Sequence, residues 1–547
     1  MRTITLVFPI LLAGLLSCRP MKKEVDLIVA NGVIYTMNDT CPVAEAFAVK
    51  DHRIAAVGNR REIINKYRSD HVIDLNGRFV YPGWIDAHCH FHGYSLTLGE
   101  AALAGSSSPE EIIALITEHH RKYPATWLTG RGWDQNDWEV KEFPDKAMLD
   151  AHFRDIPVML RRIDGHAAWV NSKALEMAGI TSSTRVEGGD VIIKNGEPSG
   201  ILIDNAIDLV GSLVPSADSS DVVNALLRAE ENCFSVGLTS LHDAGLGSDI
   251  IEIIDALQKE GRLKMRINAM LSPSEENIRK YVEKGPVQND YLTIGTIKLY
   301  ADGALGSRGA LLTEPYTDDP GNRGLRLTPE EDLIRYCKKA FEKNFQVATH
   351  CIGDEGNRMM LKIYSDILGG RNDRRWRIEH AQIIHPEDIP LFGIFNIVPS
   401  VQPTHATSDM YWAEERLGRE RMAGAYAYKE LLGQNGWIPA GSDFPVEDIN
   451  PLYGFYAAVA RKDFEGYPEK GFLPENALSR EEALKSMTIW AAMAAFEENL
   501  KGSIEPGKLA DFVITEKDIM AVPEEEIFKV RVTETYSGGE QVYRKGE

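Results

Sequence analysis

Three histidines, His88, His90 and His92, occupy alternate positions in PGWIDAHCHFHG (82–93). Residues i and i+2 of a β-strand share a face, so a strand ending here would aim several imidazoles one way. Comparable residues recur downstream, each closing or following a short apolar run. They are Lys298 in LTIGTIKLYADG, His350 in FQVATH, His380 in RWRIEHAQ and Asp443 in GWIPAGSDFPV. Imidazole nitrogen and carboxylate oxygen suit Zn²⁺ and similar divalent ions. A lone histidine or a single His-x-His pair carries little; the joint placement at successive strand ends points to a metal site. His92 follows Phe91 where the strand should end, and reads as loop or pocket lining rather than as a ligand.

Such a convergence needs a scaffold. Candidate strands are 83–89, 236–242, 264–271, 293–301, 345–350, 375–380, 396–402 and 437–442, with helical patterns such as DVVNALLRAEENCFSV and PEEDLIRYCKKAFEKN between most of them. Alternation of strands and helices is the signature of a parallel α/β fold. Eight such strands predict a (β/α)₈ barrel, in which residues at C-terminal strand ends do the chemistry. The stretch from about 100 to 232 is too long for one crossover, so an inserted subdomain over about 105–232 is expected, with GDVIIKNGEPSGILI as a hairpin inside it. Residues 25–80 read as short strands, with turns at Asn31-Gly32 and near Lys50-Asp51. Strand-and-turn texture returns after Gly502. The expected organisation is therefore a composite β-sandwich domain from 19–80 plus 500–547, split by a barrel over 81–499.

The chain has 547 residues, enough for a large core and more than one domain. Its net charge of −21 argues against a nucleic-acid partner, which needs a basic face. The start, MRTITLVFPILLAGLLSC, pairs Arg2 with an apolar stretch too short for a comfortable membrane span, and reads as a secretion signal over 1–18. Its Leu15-Leu16-Ser17-Cys18 end resembles a bacterial lipobox, which makes Cys18 the lipidation site. The expected location is the bacterial cell envelope, periplasm or outer membrane, with the membrane met through the lipid anchor only. The other five cysteines are scattered and odd in number, so no disulfide framework is expected. Cys89 and Cys351 read as buried thiols behind the site.

PGWIDAHCH, IKLYADGALGSRGA, THCIGDEGN, RIEHAQ, SVQPTHATSD and GSDFPV together resemble the amidohydrolase superfamily. Within it they resemble amidohydrolase family 3, the YtcJ-like group that includes N-substituted formamide deformylase. The resemblance runs from about Val25 to Gln541, and GRGWDQNDW and DGHAAWVNSKAL in the insertion are similar to that group specifically. It implies a binuclear centre: His88 and His90 with Asp443 on one divalent ion, His350 and His380 on the second. Lys298 would bridge them as a carbamate formed with CO₂. Zn²⁺ is the expected metal, and a homodimer is compatible with family habit.

Protonated lysine cannot be a ligand beside cations. Neutral lysine can react with CO₂, and burial favours the neutral form. The implied reaction is hydrolysis of an amide-type, non-peptide C–N bond of a small molecule by a metal-bridged hydroxide, with Asp443 moving the proton. Trp133, Asp134, His166, His242, Asp302 and His405 are the candidate substrate contacts. Asp302, Glu379 and Asp354 are also candidates to orient histidines or loops. Three alternatives stay open at this stage. One is a mononuclear deaminase, against which Lys298 and the His350–His380 pair argue. Another is hydrolysis of an ester, lactone or phosphotriester on the same centre. The last is a ligand-binding envelope lipoprotein without catalysis.

Overall fold

The computed structural model describes residues 22–546; the secretion signal and Cys18 lie outside the described residues. Seven strands form a continuous parallel sheet: β1 (Trp84–Cys89), β2 (Leu238–Leu246), β3 (Arg266–Leu271), β4 (Leu292–Tyr300), β5 (Gln346–Cys351), β6 (Arg377–His380) and β7 (Val398–Ser400). All but three residues of this set, Gly245, Gly295 and Tyr300, are buried, because helices cover the outside and side chains fill the interior. Helices Ser219–Ser235 and Glu330–Glu342 lie where the apolar periodicity put them.

The eighth position belongs to residues 437–443. This segment lacks regular ladder geometry, yet it bridges β7 to β1. Val401 N–H donates to the Pro439 carbonyl (3.1 Å), Ala87 N–H to Ala440 (3.2 Å) and Asp443 N–H to His88 (2.7 Å). Asp86 staples the closure from beneath by accepting from the Ser442 N–H (3.1 Å) and hydroxyl (2.6 Å). Gly441 permits the approach: a Cβ there would stand 2.4 Å from the His88 nitrogen and 2.5 Å from Asp86 Oδ1. Gly441→Ala is expected to cost about 1–3 kcal/mol through overpacking. A denaturation midpoint equal to that of the native chain would refute this reading of the closure.

A second, eight-stranded sheet joins the two ends of the chain. Phe79–Pro82 pairs with Phe512–Thr515, and Leu27–Tyr35 connects them to the strands Val43–Lys50 and Arg53–Gly58. Phe47, Val29, Ile34 and Phe512 form its core. The hairpin expected at Lys50-Asp51 is present. Asn31-Gly32 is not a turn between strands: Leu27–Tyr35 runs through it as one strand with an irregularity, Asn31 being left-handed at φ 71°. The Arg266–Asp511 ion pair (2.6 Å), buried on both sides, ties this sheet to β3.

A six-stranded sheet built by residues between 101 and 204 stands in the gap between β1 and β2. Its order runs Gly189–Lys194, Glu197–Asp204, Ala167–Val170, Val158–Arg162, Leu128–Trp133, Ala101–Ala102. The first two form the expected hairpin. Helix Ser219–Ser235, which the sequence boundaries placed largely inside the insertion, packs through Leu226, Ala229 and Cys233 into the same core as the barrel strands. Among the described residues no helix is long and apolar enough to cross a membrane.

Candidate metal centre

The strand ends bring together His88 of β1, His90 just after it, Lys298 of β4, His350 of β5, His380 of β6 and Asp443. The ring centroids of His88 and His380 are 4.9 Å apart, and those of His350 and His380 4.5 Å. Each histidine commits one nitrogen to a partner that dictates its tautomer. His88 Nδ1 meets the Glu379 carboxylate, His90 Nδ1 the Ala244 carbonyl (3.0 Å), and His380 Nδ1 the Gln402 amide oxygen (2.7 Å). His350 turns its Nε2 toward the Gly303 carbonyl (3.4 Å). Since these partners accept, the committed nitrogens carry the protons and the opposite nitrogens carry lone pairs.

Those lone pairs face other acceptors. His90 Nε2 lies 3.2 Å and His88 Nε2 3.5 Å from Asp443 Oδ1, which is buried with no hydrogen-bond partner among the described residues. Acceptors this close repel unless a cation stands between them. Zn–N bonds of about 2.0–2.1 Å place tetrahedral neighbours roughly 3.3 Å apart, which matches. Lys298 Nζ, buried, is 3.2 Å from His88 Nε2. His380, His405 and Asp443 form a second group whose ligand atoms lie within 4.8 Å of one another. The donor set therefore fits divalent metal.

Electrostatics agree. Burial, with Lys298 beside it, pushes His88 down to about 4, and burial holds His350 and His380 well below the usual imidazole range. All three are neutral and ready to ligate. Burial also lowers Lys298 to about 8. Burial alone would raise Asp443, but its contacts with His90, His88 and His380 hold it well below the usual carboxylate range. The backbone is left-handed at His380 (φ 72°) and Asp443 (φ 65°), a conformation that functional sites tolerate at a cost of about 1–3 kcal/mol each.

The cavity above the centre holds about 200 Å³ and is lined by Asp134, Asp164, His166, His405, Asp409 and Glu447, among others. Arg162 clamps Asp134 and Asp164. Asp204 Oδ1 holds His166 Nδ1 at 2.5 Å. Burial lowers His166, but Asp204 outweighs it and leaves the imidazole raised. Burial pushes Asp409 up to about 7 and Glu447 to about 8.

Of the expected substrate contacts, Asp134, His166 and His405 face this cavity. Three do not. Trp133 is buried in the core of the six-stranded sheet, its indole N–H donating to the Leu160 carbonyl (2.8 Å), and Trp169 shares that core. His242 is buried beneath the centre, its Nδ1 3.1 Å from Arg377 Nη1. Asp302 accepts backbone N–H groups of Ile352 (3.0 Å), Gly353 (2.7 Å) and Leu311 (2.9 Å) and so fixes the loop after β5. Asp354 likewise holds Thr313. His92 lines an outer cleft, away from the centre. Glu379 does orient His88, gripped in turn by Arg377.

Several partners carried no signal of their role: Arg162, Asp204 and Glu447 are isolated polar letters, and Arg377 and Gln402 sit in RIEHAQ and SVQPTHATSD with nothing to mark what they touch. His405 showed one, but its place among the metal-facing donors did not. Replacing Glu379 by Gln keeps its shape while removing its charge. The expected result is 10–100-fold weaker metal binding, read by competitive chelator titration. Unchanged affinity would show that Glu379 serves packing alone.

Residues 71–543 match the amidohydrolase family. A Bacillus subtilis protein named as the amidohydrolase YtcJ is 34% identical over 524 residues, covering 94% of this chain and 98% of that protein. N-substituted formamide deformylase of Arthrobacter pascens is 24% identical over 547 residues, 96% of this chain and 99% of that one. The crystal structure of an uncharacterized metal-dependent hydrolase from Pyrococcus horikoshii superposes with a TM-score of 0.74 at 28% identity, covering 91% of this chain and 99% of that one. With this centre at the mouth of this barrel, the chain belongs to the amidohydrolase family and is a metal-dependent hydrolase of that superfamily.

Proposed function

We propose that the protein hydrolyses an amide-type, non-peptide C–N bond of a small molecule. The observation that carries this reading is the convergence of imidazole lone pairs and an unpartnered Asp443 oxygen on one cavity. Two divalent ions, Zn²⁺ by preference, would be held by His88, His90 and Asp443 and by His350 and His380. Carboxylated Lys298 would lie between them. Metal bound there would lower the pKa of water and polarise the substrate carbonyl.

Asp443 accepts a proton from the attacking water and passes it to the leaving nitrogen. Water oxygen bonds to the carbonyl carbon, the C–N bond breaks, and a carboxylic acid and an amine leave. A positioned carboxylate contributes about 10²–10⁴-fold in such a role. On the cavity wall Asp204 favours the protonated form of His166, which in that form can carry charge developing on the carbonyl oxygen. His166→Gln is expected to lower kcat about 10²-fold. Because the raised imidazole is charged below its pKa and neutral above it, the native rate falls on the alkaline side, at a pH above the ordinary imidazole range. The variant loses that alkaline limb, and a variant profile that kept it would assign the limb elsewhere.

The test is metal content per chain by elemental mass spectrometry, followed by a screen of amides, ureas, esters and aminopurines. About two ions and turnover of an amide support the proposal. One ion with ammonia released from an aminopurine would replace it by the deaminase reading, and no turnover on any class by the binding-protein reading.

The sheet from both chain ends is proposed as the composite β-domain and residues 101–204 as a roof over the site. Cys18 is proposed as a lipid anchor in a bacterial envelope. Cys18→Ala is expected to move the protein from the membrane fraction to the soluble one, and membrane retention would remove the anchor.

A further inference from the structure

A second cavity of about 510 Å³ reaches the same centre, sharing His350, His380 and Asp443 with the first and touching Lys298. Its wall is mixed: Arg131, Arg161 and Lys298 stand there with Asp164, Asp204, Asp208 and Asp443, whereas Arg162 is the one arginine lining the first cavity. Arg131 of strand Leu128–Trp133 and Arg161 of strand Val158–Arg162 both line it, and the two are direct register partners in a parallel pair. Neighbouring strands lie about 4.8 Å apart and register partners point to one face. Like charges placed side by side on a sheet are destabilising, so the pair needs a compensating anion.

Glu100, Asp164 and Asp443 act on Arg131 through space, but among the described residues no carboxylate forms an ion pair with either guanidinium. Arg131 spends one Nη2 hydrogen on the Ile163 carbonyl (3.0 Å) and lies against Gly165, where a Cβ would come within 3.2 Å of Nη2. Its Nε is buried without a hydrogen-bond partner. The Arg161 side chain makes no ion pair or hydrogen bond among the described residues. Asp208 and Asp443 line the cavity without an ion pair to either arginine. Arg162 holds Asp164, and His166 holds Asp204. Glu100 feels both arginines without pairing with either, and burial leaves its carboxyl raised despite them. Guanidinium forks suit planar oxyanions, which accept two parallel N–H bonds.

We infer that Arg131 and Arg161 seat a carboxylate of the substrate, so that the bond cleaved belongs to a small amide that also carries a carboxylate. This deepens the hydrolase proposal and rests on it. A singly charged group is favoured over phosphate, because Glu100, Asp164, Asp204 and Asp443 surround the seat and oppose a dianion. The amide then reaches the centre from the cavity that holds the two arginines, and the acyl or amine portion beyond it enters the smaller acidic one.

The test reads binding before turnover. Metal-loaded protein is titrated calorimetrically at low salt with succinamate, N-formylglycine and N-acetyl-β-alanine, each beside its neutral primary amide and its phosphonate analogue. At least one acid is expected to bind tenfold or more tightly than its amide. Arg161→Met is expected to bring that pair within about twofold by weakening the acid, and Arg161→Lys to restore part of the preference. Arg161 is chosen because Arg131 also supports the Ile163 backbone. Acids binding no better than amides, or a variant that weakens both alike, overturns the seat. Tighter binding of the phosphonate overturns the carboxylate assignment. Selective acid binding with no turnover keeps the seat and sinks the hydrolase reading instead.

Discussion

Lys298→Ala protein is expected to hold about one divalent ion per chain, or none, where the native chain holds about two. The lysine lies two residues before the end of β4 in full burial, its Nζ 3.2 Å from His88 Nε2 and 5.1 Å from the centre of the Tyr300 ring. A buried ammonium is costly without a counter-charge. Glu379 and Asp443 supply some, yet burial still lowers the group to about 8. Roughly a tenth is then neutral at pH 7 and about half at pH 8.

Neutral amine attacks CO₂: an N–C bond forms, one proton leaves, and a cation-repelling site becomes an anionic one with two oxygens. Refilling of stripped protein in bicarbonate is therefore expected to be more complete at pH 8 than at pH 6.5, since the neutral fraction rises with pH. Elemental mass spectrometry reads the metal, and ¹³C spectroscopy after ¹³C-bicarbonate reads the carbamate carbon. Circular dichroism shows whether the alanine variant is folded. Two ions retained by folded Lys298→Ala protein would remove the lysine from the centre and leave the histidines and Asp443 as the whole ligand set.

The alternation of His88 and His90, and the apolar runs before His350, His380 and Asp443, made much of the centre readable in advance. Strand period and barrel geometry are local and repetitive, so a sequence displays them. Periodicity does not say how deep a strand-end residue sits. His242 sits on β2 much as His350 does on β5, yet Arg377 caps it beneath the cavity floor. Trp133 and Asp302 stand in equally conspicuous motifs; one fills a core and the other ties down a loop. Asn31-Gly32 has turn chemistry but meets a strand that absorbs it as an irregularity.

What stayed hidden is what only tertiary contact creates. Glu379 could be suspected from its place beside His380, but its partner His88 is 291 residues away. Arg131 and Arg161 are 30 positions apart and become neighbours only through the register of two strands. The closing segment 437–443 was legible as a strand because of its apolar run, though it reaches its place by Gly441 and Asp86 rather than by a regular ladder.

Asp443→Asn protein is expected to lose about 10²–10⁴-fold in kcat with a much smaller change in KM. Asparagine is the informative substitution because the residue sits at φ 65°, a left-handed conformation that Asn and Asp adopt with least strain. Backbone geometry is thereby preserved, along with the N–H donated to the His88 carbonyl at 2.7 Å. What disappears is the proton acceptor. Native Asp443 is held well below the usual carboxylate range, so it stays ionised across the neutral region, and acid loss of activity from its own protonation begins only far below pH 4. The amide cannot take a proton at any of these pH values, so the deficit is expected to be constant from pH 6 to 8. A deficit that shrinks toward one end would mean that a second group, His405 at 3.8 Å from Asp443 Oδ2, moves the proton there. An Asn variant within tenfold of the native rate would mean that Asp443 serves only to hold metal, because a ligand that is merely weakened can be offset by more metal in solution and a missing base cannot.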